Sequence, residues 1–206
     1  MSLTLRTLTD SDIHDYLDAL ADLRIQVFQE WPYLYKGDRD YETRYLRAFA
    51  ESEGALLVAA FADGPASTGD HTGERLVGAS TALPLQHEHA ELREPFEREV
   101  LPPAQWYYLA ESVLLPDYRG QGAGRRFFEA REAHAKTLGF EHTCFAAVQR
   151  DDHDPRRPED YRELAPFWRR LGYVPRDDLV AHLAWQEIGE DEESAKPLKF
   201  WLKDLF

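Results

Sequence analysis

Cysteine and methionine are nearly missing from this chain: each occurs once in 206 residues. The lone cysteine, Cys144, excludes an internal disulfide framework and fits a reducing compartment. No window approaches the roughly 18–20 successive apolar residues that a membrane-spanning helix needs. The opening MSLTLRTLTD lacks the basic-then-apolar order of a secretory signal, so the expected location is the cytoplasm. Basic residues are also scarce, 24 Lys and Arg against 38 Asp and Glu, for a net charge of −14. That balance argues against nucleic acid, whose phosphates need a basic face. It either attracts cationic small molecules or peptides over long range or only keeps the protein soluble. The histidines in HEH (87–89) and DDHD (151–154) do not recur at ligand spacing, so no metal is expected.

What is present suits one domain spanning 1–206, with an ordinary 43% of hydrophobic residues for its core. LTLRTL (3–8) alternates as a strand does. TDSD (9–12) then caps a helix that sets Ile13, Leu17, Leu20, Ala21, Val27 and Phe28 on one face. A second helix over 39–51 turns Tyr41, Tyr45, Leu46 and Phe49 inward. ALLVAAF (55–61) and LVGASTALPL (76–85) form a hairpin with a long Gly/Pro/Ser/Thr tip. Residues 87–100 are helical in part, and WYYLAESVLLP (106–116) reads as the longest strand. A helix follows over about 124–138 with Phe127, Phe128, Ala135 and Leu138 on one side, and with Arg131 in the middle of that side. Then come a strand (142–149), a loop (151–161), a short helix ending on Gly172, and closing strands at 179–188 and 198–205. Strand runs and helices mix, so the expected class is α/β of the α+β type, with no pure βαβ series. The aromatics of LKFWLKDLF look exposed enough to pair two subunits, which makes a homodimer possible.

One stretch stands apart. DYRGQGAGRRFF (117–128) packs three glycines into five positions, and residues 117–131 hold four arginines against two acids. A strand, a glycine turn and a helix start make an anion site, because unpaired N–H groups and the helix dipole both favour negative charge. Glycine lets a ligand approach the main chain, and nearby arginines reach further phosphates. No Lys-Ser or Lys-Thr follows, so a P-loop fails. The spacing G-x-G-x-G from Gly120 misses the dinucleotide fingerprint by one, and lies past the midpoint of the chain.

R-x-x-G-x-G, read as Arg119, Gly122 and Gly124 after VLLP, resembles the GNAT superfamily of acyl-CoA-dependent N-acetyltransferases. SVLLPDYRGQGAG is similar to that family's fourth strand and pyrophosphate loop, and FWRRLGYVP to its fourth helix and the strand after it. The element order extends the resemblance over nearly the whole chain. It implies a mixed, mostly antiparallel sheet of six to seven strands flanked by helices, with acetyl-CoA as cosubstrate. It also implies that the main chain of Val113 and Leu114 holds the acetyl and pantetheine groups. The pyrophosphate would rest on Arg119, Gly120, Gln121, Gly122, Ala123, Gly124 and Arg125, and Arg126 or Arg131 would meet the 3′-phosphate.

Acetyl transfer needs an unprotonated amine and donors for the tetrahedral oxyanion. Glu111, within an otherwise apolar strand, is either the base or the partner of one of the arginines. His153 is a second base candidate, since imidazole titrates near neutrality, or else a solvated loop histidine. Many family members carry a tyrosine four residues before the glycine of LGY, as the acid for the thiolate. Here that place is Trp168, so either Tyr161, Tyr173 or Tyr118 substitutes or the thiolate leaves unassisted. This departure keeps a non-catalytic acyl-CoA-binding module open as the alternative. For the acceptor, Tyr33 and Tyr35 in WPYLYKGDRDYE suit a cation with an apolar body, or pack the helix connection.

Overall fold

The computed structural model describes residues 3–63 and 74–206, and the hairpin tip expected between them lies outside the described residues. The elements run β1 (Thr4–Thr9), α1 (Ser11–His14), α2 (Leu17–Phe28), α3 (Arg39–Ala50), β2 (Leu56–Asp63), β3 (Glu74–Pro84) and α4 (Ala90–Arg98). They continue with β4 (Trp106–Tyr108), β5 (Ser112–Leu114), α5 (Ala123–Thr137), β6 (His142–Val148), α6 (Ala165–Arg170), β7 (Val174–Trp185) and β8 (Ser194–Asp204). The strands form one sheet in the order β1-β2-β3-β4-β6-β8-β7, with β5 placed on β3. Every pairing is antiparallel except that of β4 with β6. The sheet thus has eight strands, because the run 106–116 forms two short strands instead of one long one.

Alternation along β2 sorts the core into two layers. Leu57, Ala59 and Phe61 enter the cluster that also holds Leu20, Leu46 and Phe49 of α2 and α3. Leu56, Val58 and Ala60 face Ala123 and Phe127 of α5 on the other side. On the first side α4 continues the layer, with Phe96 edge-on to Phe200 at 4.8 Å. Also on the side of α5, Phe128, Phe145, Tyr173 and Trp201 form a separate cluster, and Trp168 of α6 packs against it.

Local chemistry explains the boundaries. The Asp38 side chain accepts from the Tyr41 N–H at 2.9 Å and starts α3. Gly172, at φ 92°, closes α6 in the left-handed conformation that favours glycine. Several expectations need correction. The first helix is two, interrupted by a turn at residues 15 and 16. Tyr41 is 44% exposed and Leu138 lies beyond the end of α5, also exposed. Phe200 and Trp201 are buried while Phe206 is 85% exposed, and β8 sits between β6 and β7, so the strand itself has no free edge. Among the described residues, no helix is long and apolar enough to cross a membrane.

Candidate active site

The split in the 106–116 run shapes the site. β4 pairs with β6, the last bond being Leu109 N–H to the Cys144 carbonyl at 2.8 Å. β5 pairs only with β3, so β5 and β6 diverge beyond this point. The guanidinium of Arg131, from α5, braces the divergence. It donates to the carbonyls of Thr81 (3.3 Å) and Glu111 (3.2 Å) and to the Ser112 hydroxyl (3.0 Å). Burial lowers the pKa of Arg131 to about 10, so it remains a cation at neutral pH. It is 2% exposed, which corrects the expectation that it meets a phosphate.

Leu115 N–H bonds the Val77 carbonyl. In an antiparallel ladder the next hydrogen-bonded pair is then Val113 with Ala79, two residues on. The Val113 amide therefore points into the sheet, contrary to its expected role. The main chains of Ser112 and Leu114 face the open side. The Leu114 carbonyl already accepts from Arg119 Nε at 2.9 Å.

Next comes the glycine turn. Gly120 and Gly122 have φ of 76° and 81°, and a Cβ at either would meet nothing within 4 Å. Gly122 also caps α5, whose first turn carries no acidic residue. The first helical bond is Arg126 N–H to the Gly122 carbonyl. Among the described residues no acceptor meets the N–H groups of Gly120, Gln121, Gly122, Ala123, Gly124 and Arg125. Six successive unpaired donors, with open space at Gly120 and Gly122, form a cradle for a bulky anion. Arg119 and Arg125 flank it, though each holds an acid, Glu30 and Glu129 respectively, at 2.7 Å.

A cavity of about 440 Å³ approaches the split on the α2 and α3 side, reaching it at Ala110, Glu111 and Ala146. Tyr33, Tyr35, Tyr45 and Trp185 give it aromatic walls. The Tyr33 segment is fixed from behind. Arg150 donates to the carbonyls of Pro32 (2.6 Å) and Tyr33 (3.1 Å), and pairs with buried Glu187 at 2.6 Å. Burial pushes the Tyr33 phenol up to about 12, and Tyr35 Oη accepts from the Asp38 N–H.

Charge in the cavity is organised around Arg24, which pairs with Glu42 and Glu111 at 2.5 Å each. Burial opposes its charge, but the carboxylates of Glu111 and Glu42 outweigh that and hold its pKa well above the ordinary value. Glu111 therefore lines the cavity, already matched by a buried cation. Glu88 is different. It is 6% exposed, and among the described residues no Lys or Arg pairs with it. Its contacts are Tyr45 Oη, donating at 3.4 Å, and the His89 N–H, donating at 3.2 Å. Burial pushes its pKa up to about 7. Sequence reasoning passed over Glu88, because a glutamate between two histidines reads as solvated surface.

The remaining candidates lie elsewhere. His153 is exposed on the loop after β6, outside the cavity lining, which corrects its place as a base. Tyr161 also stays out of the lining and packs edge-on to Trp31 at 6.2 Å. Tyr173 is buried, bonded to Thr143 and Glu132. Trp168 packs on Phe145 (4.9 Å) and Trp201 (5.1 Å).

A split strand, a glycine cradle before a helix, and a facing cavity define an acyl-transfer architecture, and comparison with known proteins agrees. The family model described as Acetyltransferase (GNAT) family matches residues 20–173. The chain belongs to the GNAT acetyltransferase family. A search of curated protein sequences returned no match. Among solved structures, Arabidopsis thaliana NAA60 in complex with acetyl-CoA is 12% identical, with 98% of each chain covered and a TM-score of 0.60. The ribosomal-protein-alanine N-acetyltransferase of Brucella melitensis is 14% identical, covering 98% of this chain and 99% of that one, at 0.57. The paiA N-acetyltransferase of Thermoplasma acidophilum, in complex with coenzyme A, is 15% identical, with 99% of each covered, at 0.52. At these identities the likeness concerns the fold.

Proposed function

We propose that the protein transfers an acetyl group from acetyl-CoA to a primary amine of a small molecule or peptide, by direct attack. One observation carries this reading: the six unpaired N–H groups of the glycine turn adjoin a split strand that an acidic, aromatic cavity reaches from the other face. The donor's pyrophosphate suits the cradle from Gly120 to Arg125, with Arg119 beside it. The open main chain of Leu114 and Ser112 suits the pantetheine arm and the thioester carbonyl, in the way an oxyanion site uses preorganised donors. NAA60 holds acetyl-CoA and paiA holds coenzyme A in their own structures, which supports the same donor here. The acceptor amine enters through the cavity, where Tyr33, Tyr35 and Trp185 offer π faces to a cation.

The first test is thermal. At a hundredfold excess over Kd, acetyl-CoA is expected to raise the Tm by about 5–10 °C. Gly122→Val places a β-branched side chain at φ 81° and should remove that rise. Absence of any rise in the wild type would defeat the assignment. Trp168 favours a second reading, an acyl-CoA-binding module without turnover, because an indole supplies no useful acid. Amine-dependent release of coenzyme A thiol rejects that alternative.

A further inference from the structure

We propose that Glu88 is the carboxylate that receives the acceptor's ammonium group and takes its proton before attack; this rests on the N-acetyltransferase reading above. The cavity contains three buried carboxylates, and their surroundings divide them. Glu42 and Glu111 share Arg24, so an incoming ammonium would compete there with a guanidinium 2.5 Å away. Glu88 has no such cation and holds only a weak hydroxyl contact and the next residue's N–H. An arriving ammonium therefore supplies the charge that this carboxylate lacks. Its position suits that task, since it lines the same cavity as Ala110 and Ala146, where the split opens.

Groups from several neighbouring elements surround it. Arg24 of α2, Tyr41 and Tyr45 of α3, Tyr108 of β4, Glu111, and Cys144 of β6 all act on it or feel its charge. Arg24 lies near but is committed to two other acids, while Glu111 disfavours a second negative charge. Burial is the largest influence and brings Glu88 to about 7, the range where a carboxylate both accepts and returns a proton readily at neutral pH.

The step balances. Glu88 takes one proton from the ammonium and becomes neutral. The freed nitrogen lone pair forms the C–N bond at the thioester carbonyl, with the oxyanion facing the open N–H groups of β5. The C–S bond then breaks with its electron pair on sulfur. The second nitrogen proton passes to that sulfur, yielding amide and thiol, and Glu88 returns its own proton to solvent.

The test compares wild type with Glu88→Gln, using acetyl-CoA with 2-phenylethylamine or 1,4-diaminobutane and reading thiol release. The variant is expected to lose about a hundredfold in kcat and the acidic limb of its kcat/KM profile near the pKa of Glu88, with an unchanged acetyl-CoA-induced rise in Tm. A kcat within about twofold of wild type, with the limb intact, overturns the role of Glu88 and leaves the N-acetyltransferase reading standing. Loss of the acetyl-CoA-induced rise in the variant also overturns it, since the defect is then structural. Thiol release that no amine stimulates, despite acetyl-CoA binding, removes the parent reading and this inference together. Carbon-13 NMR of labelled glutamate carboxyls gives a readout free of turnover. One signal should titrate near 7 and vanish in Glu88→Gln, or in Glu88→Asp if the first variant does not fold. A Glu88 signal in the ordinary carboxylate range overturns the proposal.

Discussion

At the residue scale, the contrast between Glu111 and Glu88 shows that burial alone does not define a carboxylate's role. Removing two opposite charges from water costs several kcal/mol per ion, which close pairing offsets only when geometry and hydrogen bonds are good. Arg24 meets that requirement by contacting Glu42 and Glu111 together while its guanidinium lies over the Tyr45 ring at 4.7 Å. Glu88 is left to hold its proton more tightly in the folded protein than in the unfolded chain. Folding therefore takes up a proton between the ordinary glutamate value of 4.5 and about 7. The stability linked to this group is full below that window and is lost as pH rises through it. Glu88→Gln does not titrate. Relative to wild type, its unfolding free energy should thus increase by on the order of 3 kcal/mol between about pH 4.5 and about pH 8. Urea melts at the two pH values check this, and a constant difference would show that Glu88 titrates alike in both states.

At the element scale, a strand that parts from its neighbour needs something to hold it apart. Arg131 does so from α5, through two carbonyls and one hydroxyl. The Thr81 carbonyl also accepts from Ala110, and the Glu111 carbonyl from Thr81 and Ser80. Arg131→Met therefore leaves neither oxygen without a partner, and the expected stability loss stays at about 2–3 kcal/mol. The effect on the ligand should be larger in proportion, with the acetyl-CoA-induced rise in Tm falling by more than half. An unchanged rise would assign Arg131 to packing alone. This brace also explains what the sequence conceals. Residues 106–116 read as one strand because no glycine or proline marks the bend at 109–111, and the side chain that stabilises it lies twenty residues on. Arg131 looked out of place on an apolar helix face for the same reason. By contrast, α5 and its glycine turn were legible, since the glycines at 120, 122 and 124 and the arginines around them are local signals. For Tyr33 and Tyr35 the sequence left both a substrate wall and a packed helix connection open, and their relation to Glu88 is not legible there. That meeting depends on how α3, α4 and β7 close around one space, which no window of sequence spans.

At the scale of the whole molecule, the net charge of −14 opposes the anionic donor and would attract the cationic acceptor proposed above. The two ligands therefore meet opposite long-range fields and differ in how they are held. For the donor, the proposed cradle would work at short range, through unpaired N–H groups and the arginines beside them, where screening by salt is weak. For the acceptor, Asp38, Glu42, Glu88, Glu91 and Glu193 line or rim the cavity and extend the molecule's negative potential into it. Raising NaCl from about 20 mM to about 500 mM shortens the Debye length from about 20 Å to about 4 Å, which removes most of that attraction. For 2-phenylethylamine, kcat/KM is expected to fall several-fold over this range, with the change in KM and little in kcat. The Kd for coenzyme A, measured by calorimetry in the same buffers, should hold or tighten as repulsion is screened. Equal weakening of both ligands would mean that salt disturbs the shared fold around the split strand, and that the acidic surface does not select the acceptor.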